Sequence, residues 1–204
     1  MASNEALTDY RRKRDFTKTG EPKGDRSETA RHGPCFVVQI HDASTLHFDF
    51  RLEADGVLKS WSVPKGPSDD PHDKRLAVPT EDHPLDYRDF EGVIAEGEYG
   101  AGTVIIWDEG TYRSITTDRH GKEVGLADAL EKGHVSFRLD GSKLHGGYAL
   151  TRIRKSQDEG REAWLLVKHD DQRASPHGTP DPHRARSVRS GHTLKQLAAR
   201  GGSR

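Results

Sequence analysis

The chain has 204 residues, of which 31% are hydrophobic and 32% are charged, and its one cysteine excludes an internal disulfide. The formal net charge is −1, but the segment from residue 173 onward carries seven Lys or Arg and one Asp, so the rest of the chain has a charge of about minus seven. An acidic body argues against a broad basic face that binds duplex DNA non-specifically. No apolar run is long enough for a signal peptide or a membrane span, which favours a cytoplasmic protein without a membrane partner.

The elements begin with an N-terminal arm. Residues 1–34 are charged and interrupted by Gly and Pro, and they predict one short helix before Asp15. From residue 36 onward, apolar and polar residues alternate as in β-strands. The predicted strands span 36–40, 46–53, 57–63, 75–79, 103–107, 111–116, 134–139, 147–154 and 163–169.

Turn and helix signals separate these strands. Turn residues occur at 54–56, 108–110 and 140–141. A short helix is predicted at 126–132, with Gly133 at its C-terminal cap. The Ser, Pro, Gly and Arg residues past 172 predict a mobile tail that ends in a weak helix.

Many short strands separated by turns predict a mainly β protein, a small antiparallel β-barrel. In such a barrel one strand face can line a polar cavity while the other is covered, which explains the low hydrophobicity. We therefore predict a barrel with a polar catalytic wall over residues 35–172, preceded by the arm (1–34) and followed by a basic, flexible tail (173–204).

Two adjacent predicted strands carry a candidate metal site. His47, Asp49 and Arg51 share one face of a strand, because successive side chains point to opposite sides. The turn at 42–45 would bring His41 alongside them. Two imidazoles and one carboxylate leave open positions for water and substrate, as a catalytic metal requires.

The nature of this metal stays open on the residues alone. Nitrogen and oxygen ligands without thiolate suit manganese, iron, cobalt and zinc about equally. The chain has twelve histidines, so any one of them is often a plain surface residue. Three potential metal ligands on one face next to an arginine are rarer, and this favours the metal site.

A second polar segment predicts phosphate chemistry. Arg75, Glu81 and His83 share strand parity. Arginine binds phosphate oxygens through two parallel hydrogen bonds, so Arg51 and Arg75 favour a phosphate substrate. His83 would protonate a leaving oxygen or stabilise a transition state. On spacing alone, Arg75 is equally suited to pairing with surface acids, and Tyr87 to packing.

Two other features predict structure rather than chemistry. The glycine-rich segment 96–102 precedes a predicted strand and not a helix, so its glycines serve bends or bulges at a barrel corner and not phosphate binding. Cys35 has no thiolate partner in the sequence and is interpreted as a small buried residue.

Five motifs together resemble a known family. They lie at residues 14–22, 41–52, 61–67, 81–87 and 91–100. Over residues 10–173 the chain is similar to the 3'-phosphoesterase domain of bacterial DNA ligase D. That resemblance implies a small β-barrel and manganese-dependent removal of a 3'-terminal ribonucleoside and then a 3'-phosphate, leaving a 3'-hydroxyl during strand-break repair by non-homologous end joining.

The resemblance also implies roles for individual residues. The metal ligands are His41, His47 and Asp49, holding Mn²⁺ with Co²⁺ or Zn²⁺ as alternatives. The residues that would face the scissile phosphate or complete the site, some of them from the arm, are Arg14, Asp15, Glu21, Arg51, Lys65, Arg75, Glu81, His83 and Tyr87.

The resemblance implies partners as well. The substrate would be the 3' end of primer-template DNA or of DNA with terminal ribonucleotides. The expected form is a stand-alone or excised domain that works with a separate DNA ligase, polymerase and end-binding protein. Two alternatives are a non-catalytic, metal-containing module that binds DNA ends and, with less support, a non-haem iron oxygenase, since two His and one Asp also form a facial triad.

Overall fold

The computed structural model describes residues 5–24, 33–153 and 162–201. The parts of the predicted arm at 1–4 and 25–32, the end of a predicted strand at 154 and the last residues of the tail, 202–204, lie outside these ranges.

The described residues follow the predicted order of elements closely. The strands are β1 Cys35–Asp42, β2 Leu46–Ala54, β3 Val57–Val63, β4 Arg75–Pro79, β5 His83–Pro84, β6 Gly92–Ile94, β7 Gly102–Ser114, β8 His134–Gly141, β9 His145–Ile153 and β10 Ala163–Lys168. The α-helices are α1 Thr8–Arg12, α2 Leu126–Glu131 and α3 Leu194–Gly201, and a 3-10 helix spans Leu85–Asp89.

Eight of the strands close into an antiparallel barrel, which confirms the predicted fold. The pairing order is β1, β2, β3, β4, β10, β9, β8 and β7, and β7 pairs back onto β1. The short strands β5 and β6 lie outside this ring, paired with β3 and β7. Among the described residues, no helix has the length and apolar character needed to cross a membrane.

Among the described residues, apolar side chains fill the barrel interior. Alternate residues of each strand point inward, so Phe48 and Phe50 of β2 meet Phe137 of β8 and Trp164 of β10 in one buried cluster. The prediction that one strand face lines a polar cavity inside the barrel is therefore wrong. The polar face of β1 and β2 points out of the barrel, and other segments must cover it.

Strand β7 corrects a second expectation. The turn predicted at 108–110 is absent, and one strand runs through it from Gly102 to Ser114. A bulge beside the Val38/Gln39 pair bends this strand. Gly110 is required there because a Cβ would lie 2.1 Å from the carbonyl oxygen of Asp140. The glycine therefore serves a close strand approach and not a turn.

The segment after residue 172 contacts the barrel at several points. Ser187 and Ser190 donate hydrogen bonds to Glu91. Arg189 pairs with Asp89 at 2.6 Å and with Glu109 at 2.5 Å. The mobility expected for this segment stays a prediction.

The arm packs on the outer face of the barrel through a second apolar cluster. Leu7 and Tyr10 of the arm join Leu58 of β3, Tyr87 of the 3-10 helix and Ile106 of β7. The Tyr10 side chain is fully buried, and its hydroxyl donates to the Pro22 carbonyl at 2.7 Å. The arm thereby covers the polar face of the sheet.

We predict that Tyr10→Ala exposes the arm to protease. Removing this buried ring costs about 3 kcal/mol of packing, and an arm that opens locally becomes a substrate for cleavage. Limited trypsin digestion followed by mass spectrometry should show cleavage at residues 11–14 at least tenfold faster than in the wild type. Tyr10→Phe, which loses only the hydroxyl, is the matched control. Equal rates in all three proteins would contradict this account of the arm.

Candidate active site

The register of β1 and β2 builds the core of the site. His41 lies directly opposite His47, and Gln39 lies opposite Asp49. All four side chains are on the outward face, because the residues between them fill the barrel. The hairpin therefore brings together the three residues predicted as metal ligands.

The three side chains have the spacing of a metal site. One ligand atom from each of His41, His47 and Asp49 lies within 4.8 Å of the others. Asp49 Oδ2 is 3.7 Å from His41 Nδ1, and Asp49 Oδ1 is 3.5 Å from His47 Nε2. Ligands of one ion at about 2.1 Å in tetrahedral arrangement are roughly 3.4 Å apart.

The remaining ring nitrogens of both histidines are held by backbone carbonyls. His41 Nε2 lies 2.8 Å from the carbonyl oxygen of Gly100, and His47 Nδ1 lies 2.7 Å from that of Thr45. Each of these nitrogens donates its proton to the carbonyl, so in the neutral ring the lone pair is on the other nitrogen, which faces Asp49. This is the arrangement found around metal-binding histidines, so the donor set fits a divalent cation.

Asp49 is kept ionised although it is buried. Burial raises the pKa of this carboxyl, but the adjacent Arg51 charge and the two histidines outweigh it and hold the pKa well below its usual value. Burial lowers the pKa of His47, but the hydrogen bond and charge of Asp49 and the Thr45 carbonyl outweigh it and raise that pKa above its usual value. Arg51 donates to Asp49, Gln39 and Ser60 at 2.8 to 3.0 Å, so its guanidinium has one fixed orientation.

The arm adds a second arginine to the site. Arg14 pairs with Glu21 at 2.9 Å and with Glu81 at 3.1 Å, and its side chain is only 4% exposed. Glu21 also accepts a hydrogen bond from the Tyr87 hydroxyl at 2.9 Å. Burial first, and then the charge of Glu21, raise the pKa of Tyr87 well above its usual value. Tyr87 therefore acts as a neutral donor.

His83 lies between the two arginines in its neutral form. Burial, followed by the charges of Arg51 and Arg14, lowers its pKa well below the usual value. Its Nδ1 lies 2.8 Å from the Glu81 carbonyl and its Nε2 lies 3.4 Å from Arg14 Nη2. The proton must be on Nδ1, since Arg14 is only a donor, so Nε2 is an acceptor aimed into the site.

These side chains line one cleft of about 280 Å³. Nine of the twelve predicted site residues border it. They are Arg14, Glu21, His41, His47, Asp49, Arg51, Glu81, His83 and Tyr87.

Three predicted site residues lie elsewhere. Asp15 binds the hydroxyl of Thr17 and pairs with Lys18. Lys65 is exposed, and Arg75 pairs with Asp73 at 2.7 Å. None of the three borders the cleft, so their roles at a phosphate stay predictions.

The structure also supplies site residues that sequence reasoning missed. Gln39 and Ser60 orient Arg51, and Thr80, Tyr99 and Gly100 line the cleft. Gln39 could have been found in the sequence, because it lies two residues before His41 on the same strand and therefore shares its face. Gly100 was visible only as a bend residue, since its contact with His41 depends on the folded chain.

Comparison with known proteins decides between the chemistries that this donor set allows. The family model described as the DNA Ligase D 3'-phosphoesterase domain matches residues 39–152. The chain belongs to this family. Two histidines and one aspartate alone also suit an oxygenase, but the family is one of phosphoesterases.

Relatives of the chain are multifunctional non-homologous end joining proteins. It is 52% identical over 174 residues to the multifunctional non-homologous end joining protein LigD of Pseudomonas aeruginosa, an alignment that covers 84% of this chain and 19% of the relative. It is 49% identical over 146 residues to the LigD of Mycobacterium tuberculosis, with 72% and 18% covered. For Mycolicibacterium smegmatis LigD the identity is 42% over 167 residues, with 82% and 21% covered. The chain thus spans about a fifth of the length of these relatives.

We predict that Mn²⁺ stabilises this phosphoesterase domain through His41, His47 and Asp49. A ligand that binds only the folded state at 100 times its Kd adds about 2.7 kcal/mol, which raises the Tm by several degrees for a chain of this length. Differential scanning fluorimetry should show the rise in the wild type and none in His47→Ala.

The control for this experiment is His72→Ala, because the His72 side chain is 94% exposed, pairs with Asp70 and does not border the cleft. It should keep the full Mn²⁺ response. A response in His47→Ala equal to that of the wild type would place the ion elsewhere.

Proposed function

We propose that the protein is a metal-dependent 3'-end-processing phosphoesterase of strand-break repair. It removes a 3'-terminal ribonucleoside and then the 3'-phosphate, and it leaves a 3'-hydroxyl. The observation that supports this most is the His41, His47 and Asp49 group in one cleft with Arg14 and His83, in a chain of the DNA ligase D phosphoesterase family. We propose Mn²⁺ as the ion, with Co²⁺ or Zn²⁺ as substitutes.

We propose that the cation is held by the metal group, which consists of His41, His47 and Asp49. The cation would polarise a phosphate oxygen and lower the pKa of bound water. Arg51 fixes the Asp49 carboxylate through its bond of 3.0 Å. The backbone carbonyls of Gly100 and Thr45 fix the two imidazoles. These contacts preorganise the ligands, so little reorganisation is needed when substrate enters.

The second half of the cleft is proposed to act on the phosphate. Arg14 is almost fully buried, and its Nη2 lies beside His83 Nε2. A phosphoryl oxygen that enters between them would take hydrogen bonds from the guanidinium. As a neutral imidazole, His83 would accept at Nε2 the proton that the attacking group loses. The resulting cation would stabilise the charge of the transition state and return this proton to the leaving oxygen.

The proposed substrates are 3' ends of primer-template DNA, including ends with one terminal ribonucleotide. Such a domain produces 3'-hydroxyl ends, which are the ends that a polymerase or ligase requires. We therefore propose a separate or linked DNA ligase, a polymerase and an end-binding protein as partners.

The test uses a 5'-labelled primer-template that ends in one ribonucleotide, incubated with protein and Mn²⁺. We expect the primer to shorten to a 3'-phosphate and then to a 3'-hydroxyl on a denaturing gel. His47→Ala should lose at least 100-fold in rate, because one of three ligands is gone, whereas His72→Ala should keep the wild-type rate.

His83→Ala separates catalysis from binding. We expect this variant to bind the labelled end with wild-type affinity but to lose at least tenfold in turnover, since general acid–base groups contribute about 10²–10⁴-fold. Binding without turnover by the wild type with Mn²⁺, Co²⁺ and Zn²⁺ would instead support the non-catalytic end-binding module.

A further inference from the structure

The rim of the cleft carries an exposed aromatic ring that the proposed chemistry leaves unused. Tyr99 is 49% exposed. Two other large hydrophobic residues of the described chain are comparably exposed, Leu76 and Val93, and neither borders the cleft. Single exposed hydrophobic residues are ordinary on protein surfaces. Tyr99 differs from them by its position at the cleft and by the contacts that fix its ring.

The backbone around Tyr99 is a tight double turn. The Glu98 N–H donates to the Ala95 carbonyl, and the Ala101 N–H donates to the Glu98 carbonyl. Gly97 and Gly100 have φ values of 86° and 75°, which other residues rarely adopt. The turn therefore holds Tyr99 at one place although its side chain is half exposed.

Cations of the arm fix the ring itself. The Lys13 ammonium lies 4.8 Å from the ring centre and 3.4 Å from the Tyr99 hydroxyl, and the Arg14 guanidinium lies 5.5 Å from the ring centre. Lys13 is itself held by Glu81 at 3.0 Å. An aromatic ring held by such contacts loses little freedom when a ligand stacks on it.

The same turn is joined to the metal group. The Gly100 carbonyl, one residue after Tyr99, is the group that orients His41. The ring therefore lies on the rim of the cleft in which the proposed reaction takes place. The other tyrosines of this region, Tyr10 and Tyr87, are buried and present no free ring to a ligand.

We propose that Tyr99 and Lys13 form a nucleoside-binding subsite, in which the base of the 3'-terminal ribonucleoside stacks on the Tyr99 ring before that nucleoside leaves. The inference rests on the proposed function and adds how its diester substrate is recognised. Stacking accepts any base, because every base has a π-face. A subsite of this kind suits an enzyme that must process ends of any sequence.

The test compares three primer-templates that differ only at the 3' end. One ends in a normal ribonucleotide, one in an abasic ribonucleotide and one in a 3'-phosphate. Base–aromatic stacking is worth about 1–3 kcal/mol. We therefore expect Tyr99→Ala to lower kcat/KM on the normal ribonucleotide at least about fivefold through KM, with no loss on the abasic or 3'-phosphate end.

Two control variants accompany Tyr99→Ala. Tyr99→Phe keeps the ring and should stay within about twofold of the wild type on all three ends. Leu76→Ala removes an exposed hydrophobic residue away from the cleft and should also leave all three rates unchanged. An equal loss by Tyr99→Ala on all three ends, or no loss on any, would overturn the subsite.

A binding measurement separates this inference from the proposed function. A terminal 2-aminopurine ribonucleotide, titrated with protein in the absence of metal, reports stacking by loss of its fluorescence without turnover. Quenching by the wild type and Tyr99→Phe, but not by Tyr99→Ala, would support the subsite even if no end is hydrolysed. Equal quenching by Tyr99→Ala would reject it whether or not the protein is active.

Discussion

The pairing of His41 with His47 across β1 and β2 is the constraint on which the site depends. A slip of one residue in this register would turn one strand over and move its ligand into the barrel. The apolar residues between the ligands prevent that slip, because Phe48 and Phe50 belong to the interior cluster. The burial that folds the barrel thus also fixes the geometry of the metal group.

An outward-facing site needs a cover, and the arm supplies it. Ionisable groups on an open sheet would be hydrated, and their mutual interactions would be screened by water and salt. With the arm in place, Arg14 and Arg51 are nearly inaccessible, and each is paired with a carboxylate. Removing one partner from such a buried pair is costly, so arm and barrel are expected to depend on each other at this face.

Sequence periodicity predicted much of the fold and part of the site. The alternation around His47 and Asp49 is enough to place both on one face of one strand, and the spacing to His41 implies a hairpin. The arm residues Arg14 and Glu21 entered only through the family resemblance, because their contacts with Glu81 and Tyr87 span 66 or 67 positions. Strand β7 was misjudged at Gly110, where a close approach between strands and a turn leave the same mark in the sequence.

The balance of charge in the cleft bears on how a DNA end would be held. Arg14 and Lys13 share Glu81, and Arg51 is paired with Asp49, so these cations are already neutralised within the protein. The chain outside the basic C-terminal segment is acidic as well. A phosphate would therefore gain little from long-range attraction and must compete with internal carboxylates at short range. Under these conditions the cation and the stacked base of the proposed subsite would supply most of the affinity. Such a site would select strand ends over duplex, because a base inside a duplex has no free face to offer.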